Sequence, residues 1–370
     1  MKAIIIDRNR RTVIFQQVLR YLLAFGLAIA VGVLIVVARH ENPLKVYKML
    51  VWGALGTPLN FMQTIRWSTP LIMAGLANLI AFRAGIWNLD VETQLQFGAL
   101  AAAVVGNLPG LTPAVHIPLT IMVSTLAGAF WAFIPAILYV RFRVNELVTT
   151  LMMGYIGTLL IQYLLRYHFH APFAPGASPN NIATADIAQS ARLPQLVPSS
   201  EASVSIFIAI ALCFVLFFLY RKTVLGYEAD VLGLNRRFAT YGGIKSSRVM
   251  LILFLLSGAV AGLAGGLEIM GSQYNYSSLF PTGLGFDGIV VGILSQNGPL
   301  AVIPAGLFFG ILRNGGYVVE QTTNVNRAAI SVIQGLILLF FTVQIVWPAI
   351  RVKLAHKDNP ANRKEKKENG

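Results

Sequence analysis

Ten apolar runs, spread over nearly the whole chain, limit what it can fold into. They fall at about residues 21–38, 64–82, 91–106, 117–140, 146–165, 204–220, 250–270, 285–294, 300–312 and 328–347. An apolar helix of about 20 residues crosses the hydrocarbon core of a bilayer. A segment in lipid must also satisfy its own backbone polar groups, which a helix does internally. The runs therefore predict an all-α, polytopic membrane protein with about ten transmembrane helices. The eighth and ninth runs are too short to cross in straight form. They read as a tilted pair or as a re-entrant hairpin around Gln296, Asn297, Gly298 and Pro299. Composition agrees: 56% of the 370 residues are hydrophobic and only 12% are charged, against roughly a quarter charged in soluble domains.

The formal net charge is +14, a value often associated with nucleic-acid binding. The distribution argues against that partner. The basic residues cluster between the apolar runs and at both ends, as in cytoplasmic loops. With the N-terminus inside, the inner segments are the N-terminus, the junction at Arg83, the turn at Arg141 and Arg143, the loop 221–248 and the tail from Arg351. They hold 5, 1, 2, 6 and 7 basic residues, 21 of the 29. Both termini are then cytoplasmic, and the medium around most of the chain is lipid. The run 21–38 is long for a signal-peptide core, lacks a small-residue cleavage site and is followed by Arg39, so it reads as a retained first span. The single cysteine, Cys213, excludes an intrachain disulfide.

Residues 1–355 read as one transmembrane domain and 356–370 as a charged, disordered cytoplasmic tail. The outer loop 167–203 has five prolines and little charge and reads as an irregular or partly ordered cap. The inner loop 221–248 interleaves Val224, Leu225, Leu232, Leu234, Phe238 and Tyr241 with charge. It predicts one or two short helices stopped at Gly242 and Gly243. An amphipathic helix lying on the membrane is one reading; a docking element for a cytoplasmic partner is the preferred one, because a free linker needs no such apolar residues. Five runs precede the outer loop and five follow it, so repeated halves, if present, are inverted in the membrane.

The junction 82–106, FRAGIWNLDVETQLQFGALAAAVVG, places Arg83, Asn88, Asp90, Glu92, Gln94 and Gln96 between two apolar runs. It is either a short aqueous turn or a broken-helix element lining a polar path. We favour the second, since charged groups at membrane depth face a cavity or a partner. Gly258, Gly262 and Gly266 recur at four-residue spacing, as do Gly306 and Gly310, and Gly98, Ala102 and Gly106; such stripes allow close helix approach. Glu268 sits near the outer end of the seventh run. Asp287 opens the eighth, as a cap or as a gate. Asn78, inside the second run, is either an interhelical hydrogen bond or a lining group. There is no phosphate-binding G-x-x-x-x-G-K-[ST] loop, no H-E-x-x-H and no catalytic constellation. No catalytic residue, metal site or bound cofactor is expected; His168 and His170 are a weak metal signal only.

The same residues resemble a known family. Phe82, Arg83, Ala84, Gly85, Asn88, Glu92 and Gln94 follow the F-R-A-G-x-x-N-x-G-x-E-G-Q junction of the membrane permease subunits of ABC importers for branched-chain amino acids, ribose and nucleosides. Asp90 and Thr93 stand where that pattern has glycines. Further matches are Asn145, Glu146, Thr149 and Thr150; Gly233, Leu234 and Asn235 with Ala239, Tyr241, Gly243 and Ile244; Gly285 to Val291; and Asn297, Pro299 and Leu300. The likeness covers about residues 60 to 345 and is nearest to nucleoside-type permeases that work with basic membrane protein lipoproteins.

The resemblance implies two permease subunits, non-identical, in a bacterial inner membrane. It also implies two cytoplasmic ATPases that use the ATP and an external solute-binding protein. Together with the reading of the residues themselves, it gives an expected nucleoside path at Asn78, Asn88, Glu92, Gln94 and Asp287, and an expected coupling to the ATPase through Leu234, Asn235, Arg236, Phe238 and Tyr241. A simple-sugar permease shares the architecture. A stand-alone secondary transporter is the alternative class, but its mid-membrane acid relay is missing: Asp90, Glu92, Glu268 and Asp287 lie near the ends of runs. A membrane enzyme comes third, for want of catalytic groups.

Overall fold

The structure, a computed structural model, describes residues 40–172, 182–296 and 298–323, with isolated positions on either side. The apolar run 328–347, most of 21–38, the tail 356–370 and Asn297 lie outside those residues. Among the described residues the regular elements are helices, and two isolated bridges pair Ala183 with Ser277 and Gln195 with Ser203. The helices are α1 (Pro43–Leu55), α2 (Pro58–Arg83), α3 (Val91–Gly106), α4 (Pro113–Phe142), α5 (Glu146–Leu164), α6 (Ser205–Lys222), α7 (Val224–Leu234), α8 (Arg236–Tyr241), α9 (Ser246–Glu268), α10 (Leu284–Leu294) and α11 (Val302–Thr322). Single π-helical turns, Leu165–Phe169 and Ile269–Gln273, extend α5 and α9.

Six described helical stretches are long and apolar enough to cross a membrane: Pro58–Arg83, Pro113–Phe142, Glu146–Phe169, Ser205–Lys222, Ser246–Gln273 and Pro299–Thr322. Of the ten or so spans expected, six are seen among the described residues, and the first and tenth runs lie mostly outside them. The third and eighth runs form helices of only 16 and 11 residues. The ninth run, expected to be short, is a full-length helix. Arg313 and Asn314 end its apolar run but not its helix, because both side chains find partners inside the protein. Helix α1, rich in exposed apolar side chains, was not anticipated.

The described chain falls into two compact units. In residues 51–315, α2 is the buried axis: from Thr64 to Ala81 every residue but Ile65 and Trp67 is buried. Its start is set by Thr57, whose hydroxyl accepts from the Asn60 N–H at 3.1 Å, with Pro58 at the first helical position. Lipid tails are as apolar as leucine, so helices in a bilayer associate through close packing rather than hydrophobic burial. The glycines lie at those contacts. A side chain at Gly98 would strike the Gly262 backbone, one at Gly262 the backbone of Ser124 and Gly128, and one at Gly265 the Leu95 carbonyl. These contacts join α9 to α3 and α4. In the same way Gly288 lets α10 meet α2 at Ala74, and Gly306 and Gly310 let α11 meet α2 at Ile72 and Ser68. The second unit, residues 1–50 with 316–370, has few described residues; within it Thr322 Oγ1 donates to the Met49 sulfur at 3.4 Å.

One end of the 51–315 unit is closed by residues 182–204. Their backbone N–H groups at Thr184, Ile187 and Leu193 donate to the carbonyls of Tyr276, Tyr274 and Met270 at 2.7–2.8 Å, and Ala188 N–H donates to Gly106 at 2.7 Å. Helix α6 runs from this cap to the opposite end, where α7 and α8 lie. Thr223 caps α7, and Asn235 caps α8 by accepting from the Arg237 and Phe238 N–H groups at 3.0 and 3.1 Å. The helix stops at Gly242 and Gly243, the latter at φ +84°.

Candidate functional site

The polar junction between α2 and α3 is buried and bonded to itself. Asn88 and Gln94 exchange two amide hydrogen bonds, Nδ2 to Oε1 at 3.0 Å and Nε2 to Oδ1 at 3.2 Å. Asn88 Nδ2 also donates to Ser257 Oγ at 2.9 Å, and Ser257 donates to the Ala77 carbonyl at 2.7 Å. One amide pair thereby joins α2, α3 and α9. Asn78 Nδ2 donates to the Ala74 carbonyl and, at 3.3 Å, to the Gly285 carbonyl of α10. Asn78, Asn88 and Gln94 are fully buried, so the structure brings them into the frame of the bundle rather than onto a surface.

The two positions where glycine gives way to a larger residue both face α5. Thr93 Oγ1 donates to the Gly154 carbonyl at 3.2 Å, and a side chain at Gly154 would come within 3.2 Å of Asp90 Oδ1. Leu89 N–H donates to Thr150 Oγ1 at 3.3 Å, which ties the junction to the Asn145–Thr150 motif. Asp90 is buried, with its carboxylate set beside the Thr93 hydroxyl and the buried Trp131 indole N–H.

Glu92 is the pivot of the site. Its Oε1 accepts from the Gly283 N–H at 3.0 Å and its Oε2 from the Gly285 N–H at 2.6 Å. These are free donors at the start of α10, where a negative charge also meets the positive end of the helix. Gly283 sits at φ +84°, a conformation that suits glycine. The acid that caps α10 is thus supplied by α3. Asp287, in the first turn of α10, instead pairs with Arg313 of α11 at 2.7 Å. A second internal pair, Arg66 Nη2 with Glu268 Oε1 at 2.6 Å, joins α2 to α9, and Arg66 also lies over the Trp67 ring. Arg66 gave no signal in the sequence, because a lone arginine in an apolar run does not name its partner.

Beyond Glu92, its neighbour one turn on, Gln96, donates Nε2 to Glu92 Oε1 at 3.2 Å and forms part of the wall of a cavity of about 510 Å³. Tyr163, Tyr167, Tyr276 and Phe280 supply aromatic walls, and Gln162, Thr158 and Thr282 supply polar groups. Arg166 is the charged residue in the lining, and among the described lining residues none is acidic. Burial, reinforced by the nearby Glu92 charge, pushes the Tyr276 phenol up, so it remains a donor near neutral pH. None of the five predicted path residues lines this cavity. Gln96 does, as a member of the polar junction. Tyr276 and Phe280 come from the segment after α9 and reach it only through the fold. Among the described residues no group of three or more His, Cys, Asp or Glu is placed to hold a metal.

At the opposite end, Arg83 makes a two-pronged pair with Asp230 of α7, Nε to Oδ1 at 2.7 Å and Nη2 to Oδ2 at 2.9 Å, and lies over the Tyr220 ring at 4.2 Å. A side chain at Gly233 would strike the Arg83 carbonyl. Helix α7 turns Gly226, Ala229 and Leu232 inward. On the outside Leu234 is 88% exposed, Phe238 66% and Tyr241 91%. Arg236 Nη1 donates to the Tyr139 hydroxyl at 2.9 Å, and the Asn235 side chain is used up as the α8 cap.

A bundle of membrane-crossing helices with a cavity of aromatic and polar walls toward one end and an exposed apolar ledge at the other has the build of a solute permease. The chain belongs to the family of branched-chain amino acid transport system permease components, whose profile matches residues 60–342. It is a permease subunit of an ABC transporter. It is similar to the glucose ABC transporter permease protein of Haloferax volcanii, 34% identical over 89% of this chain and 88% of the relative. The guanosine ABC transporter permease protein of Bacillus subtilis is 32% identical over 86% and 91%. A nucleoside ABC transporter permease protein of Lactococcus lactis is 26% identical over 90% and 92%. Each of these organisms has a second, more distant relative of this chain, at 23–24% identity.

Proposed function

We propose that this chain is one of two non-identical permease subunits of an importer that carries nucleosides across the inner membrane. Separate cytoplasmic ATPases use the ATP, and an external binding protein delivers the solute. The observation that carries the reading is the apolar ledge of α7 and α8. Leu234, Phe238 and Tyr241 stand in the open on the segment that the basic-residue bias puts in the cytoplasm. Burying such side chains in a partner groove is worth about 1.5–3 kcal/mol each. The Arg83–Asp230 pair gives the ledge a direct hold on the α2–α3 junction. The paired relatives in three organisms support a non-identical partner subunit. The full topology is read as ten spans with both termini inside, α3 and α10 being the short members. Of the predicted path residues, Glu92 acts on the path through Gln96, while Asn78, Asn88, Gln94 and Asp287 hold its frame.

Glucose is the second reading, favoured by the Haloferax volcanii relative. Uptake by the assembled transporter in membrane vesicles decides between them. Tritiated guanosine and uridine should be taken up in an ATP-dependent way and glucose should not. Glucose uptake without nucleoside uptake would overturn the substrate. Leu234→Asp or Phe238→Asp should release the ATPase during purification and abolish uptake. An intact, active complex carrying both changes would move the coupling surface elsewhere.

A further inference from the structure

Resting on the nucleoside reading, we infer that the cavity of about 510 Å³ is a solute-binding subsite in which Gln96 selects a base that offers an N–H donor. The argument starts with Glu92. Both of its carboxylate oxygens accept backbone N–H groups, Oε1 from Gly283 and Oε2 from Gly285, and so act as acceptors. The Gln96 amide must therefore turn its NH₂ toward Glu92, where it sits at 3.2 Å. Rotating the amide would set two oxygens against each other. The Gln96 carbonyl oxygen is left for the cavity. The Tyr276 hydroxyl approaches it at 3.5 Å, the outer limit of a hydrogen bond, and a carbonyl oxygen has two lone pairs. A buried acceptor of fixed direction favours a solute that donates there.

The rest of the wall fits the same class. Tyr276 and Phe280 lie with ring centroids 5.1 Å apart, tilted by 30°, and Tyr163 and Tyr167 also stand 5.1 Å apart. Aromatic faces of this kind hold flat heterocycles by stacking; a sugar ring can also lie on them, so the discrimination rests on the Gln96 acceptor. Arg166, with no acidic residue among the described lining, disfavours a cation. The volume lies within the range of small-molecule sites.

The test compares tritiated uridine, 3-methyluridine and 5-methyluridine in vesicles holding the complete transporter. Uridine carries one base N–H, at N3; the 3-methyl compound lacks it, and the 5-methyl compound keeps it while adding the same bulk. The wild type should take up uridine and 5-methyluridine alike, and 3-methyluridine with a kcat/KM lower by roughly fivefold to tenfold, the size of one net hydrogen bond. Gln96→Met, similar in length but without the acceptor, should bring the ratio near one, mainly through loss on uridine. The binding protein is the same in both preparations, so that change belongs to the permease. Equal wild-type uptake of all three, or an unchanged ratio in Gln96→Met, would overturn the role of Gln96 and leave the nucleoside reading standing. Uptake of glucose and of no nucleoside would end both. If Gln96→Met does not assemble, binding of tritiated uridine and 3-methyluridine to the purified wild-type complex without the binding protein decides: tighter uridine binding supports the subsite, and equal binding overturns it.

Discussion

Exchanging Glu92 for Gln should weaken the protein more than breaking the Arg83–Asp230 ion pair. The carboxylate receives the Gly283 N–H, the Gly285 N–H and the Gln96 amide at 3.0, 2.6 and 3.2 Å. A glutamine there has one acceptor oxygen and an NH₂ group. It can serve one backbone donor while its NH₂ faces the other. A buried donor left without an acceptor costs about 1–3 kcal/mol, and losing the charge at the start of α10 removes up to about 2 kcal/mol more. The expected loss is about 2–4 kcal/mol. Asp230→Asn disrupts a two-pronged pair with Arg83, but the Asp230 side chain is 40% exposed, and solvent-screened pairs are worth about 0–1 kcal/mol. The assay is thermal unfolding of the detergent-purified complex, followed by the loss of its monodisperse peak. Glu92→Gln should melt well below the wild type and Asp230→Asn close to it. The opposite order would refute the claim that Glu92 holds α10 to α3.

The Arg83–Asp230 pair should matter more for coupling than for stability. Arg83→Asp and Asp230→Arg should each blunt the stimulation of ATPase activity by loaded binding protein, and the double exchange should recover part of it. A double exchange no better than either single change would count against a specific pair. Gly262→Ala should cost about 1–3 kcal/mol, because its methyl group would strike the Ser124 carbonyl and the Gly128 backbone; unchanged yield and melting would mean that α9 does not need that approach. Arg66→Met leaves Glu268 charged and buried, at about 3–5 kcal/mol, whereas Arg66→Met with Glu268→Leu should melt above the single variant. Equal melting of the two would assign the stabilising role of Arg66 to its other contacts, with Trp67, Ser272 and Glu201.

The sequence by itself determined the class of solvent and the kind of element. Its apolar runs meet the length of a bilayer, and no soluble core would need them. The glycine stripes at 258–262–266 and 306–310 also announced where helices approach, because a missing side chain acts through sterics that any partner helix would exploit. The short helices of 221–248 and their stop at Gly242 and Gly243 were readable from local chemistry, apolar residues interleaved with charge and a glycine pair; the Thr223 and Asn235 caps appear only in the structure. The family pattern was legible for the same reason, since it is a string of adjacent residues.

Only the tertiary structure decided who meets whom. Glu92 and Gly285 lie 193 residues apart, Arg66 and Glu268 202 apart, and Arg83 and Asp230 147 apart. Nothing local in the chain encodes such pairs. Periodicity also could not tell lining from frame: Asn88, Gln94 and Gln96 are all amide or polar members of one junction, yet two of them are spent on each other and the third faces a cavity. That division depends on which neighbour a neighbouring helix brings, here the Glu92 carboxylate pinned by α10. A residue's chemistry is written in the sequence; the partner that satisfies it, and so the atom left over for a solute, is set by the packing.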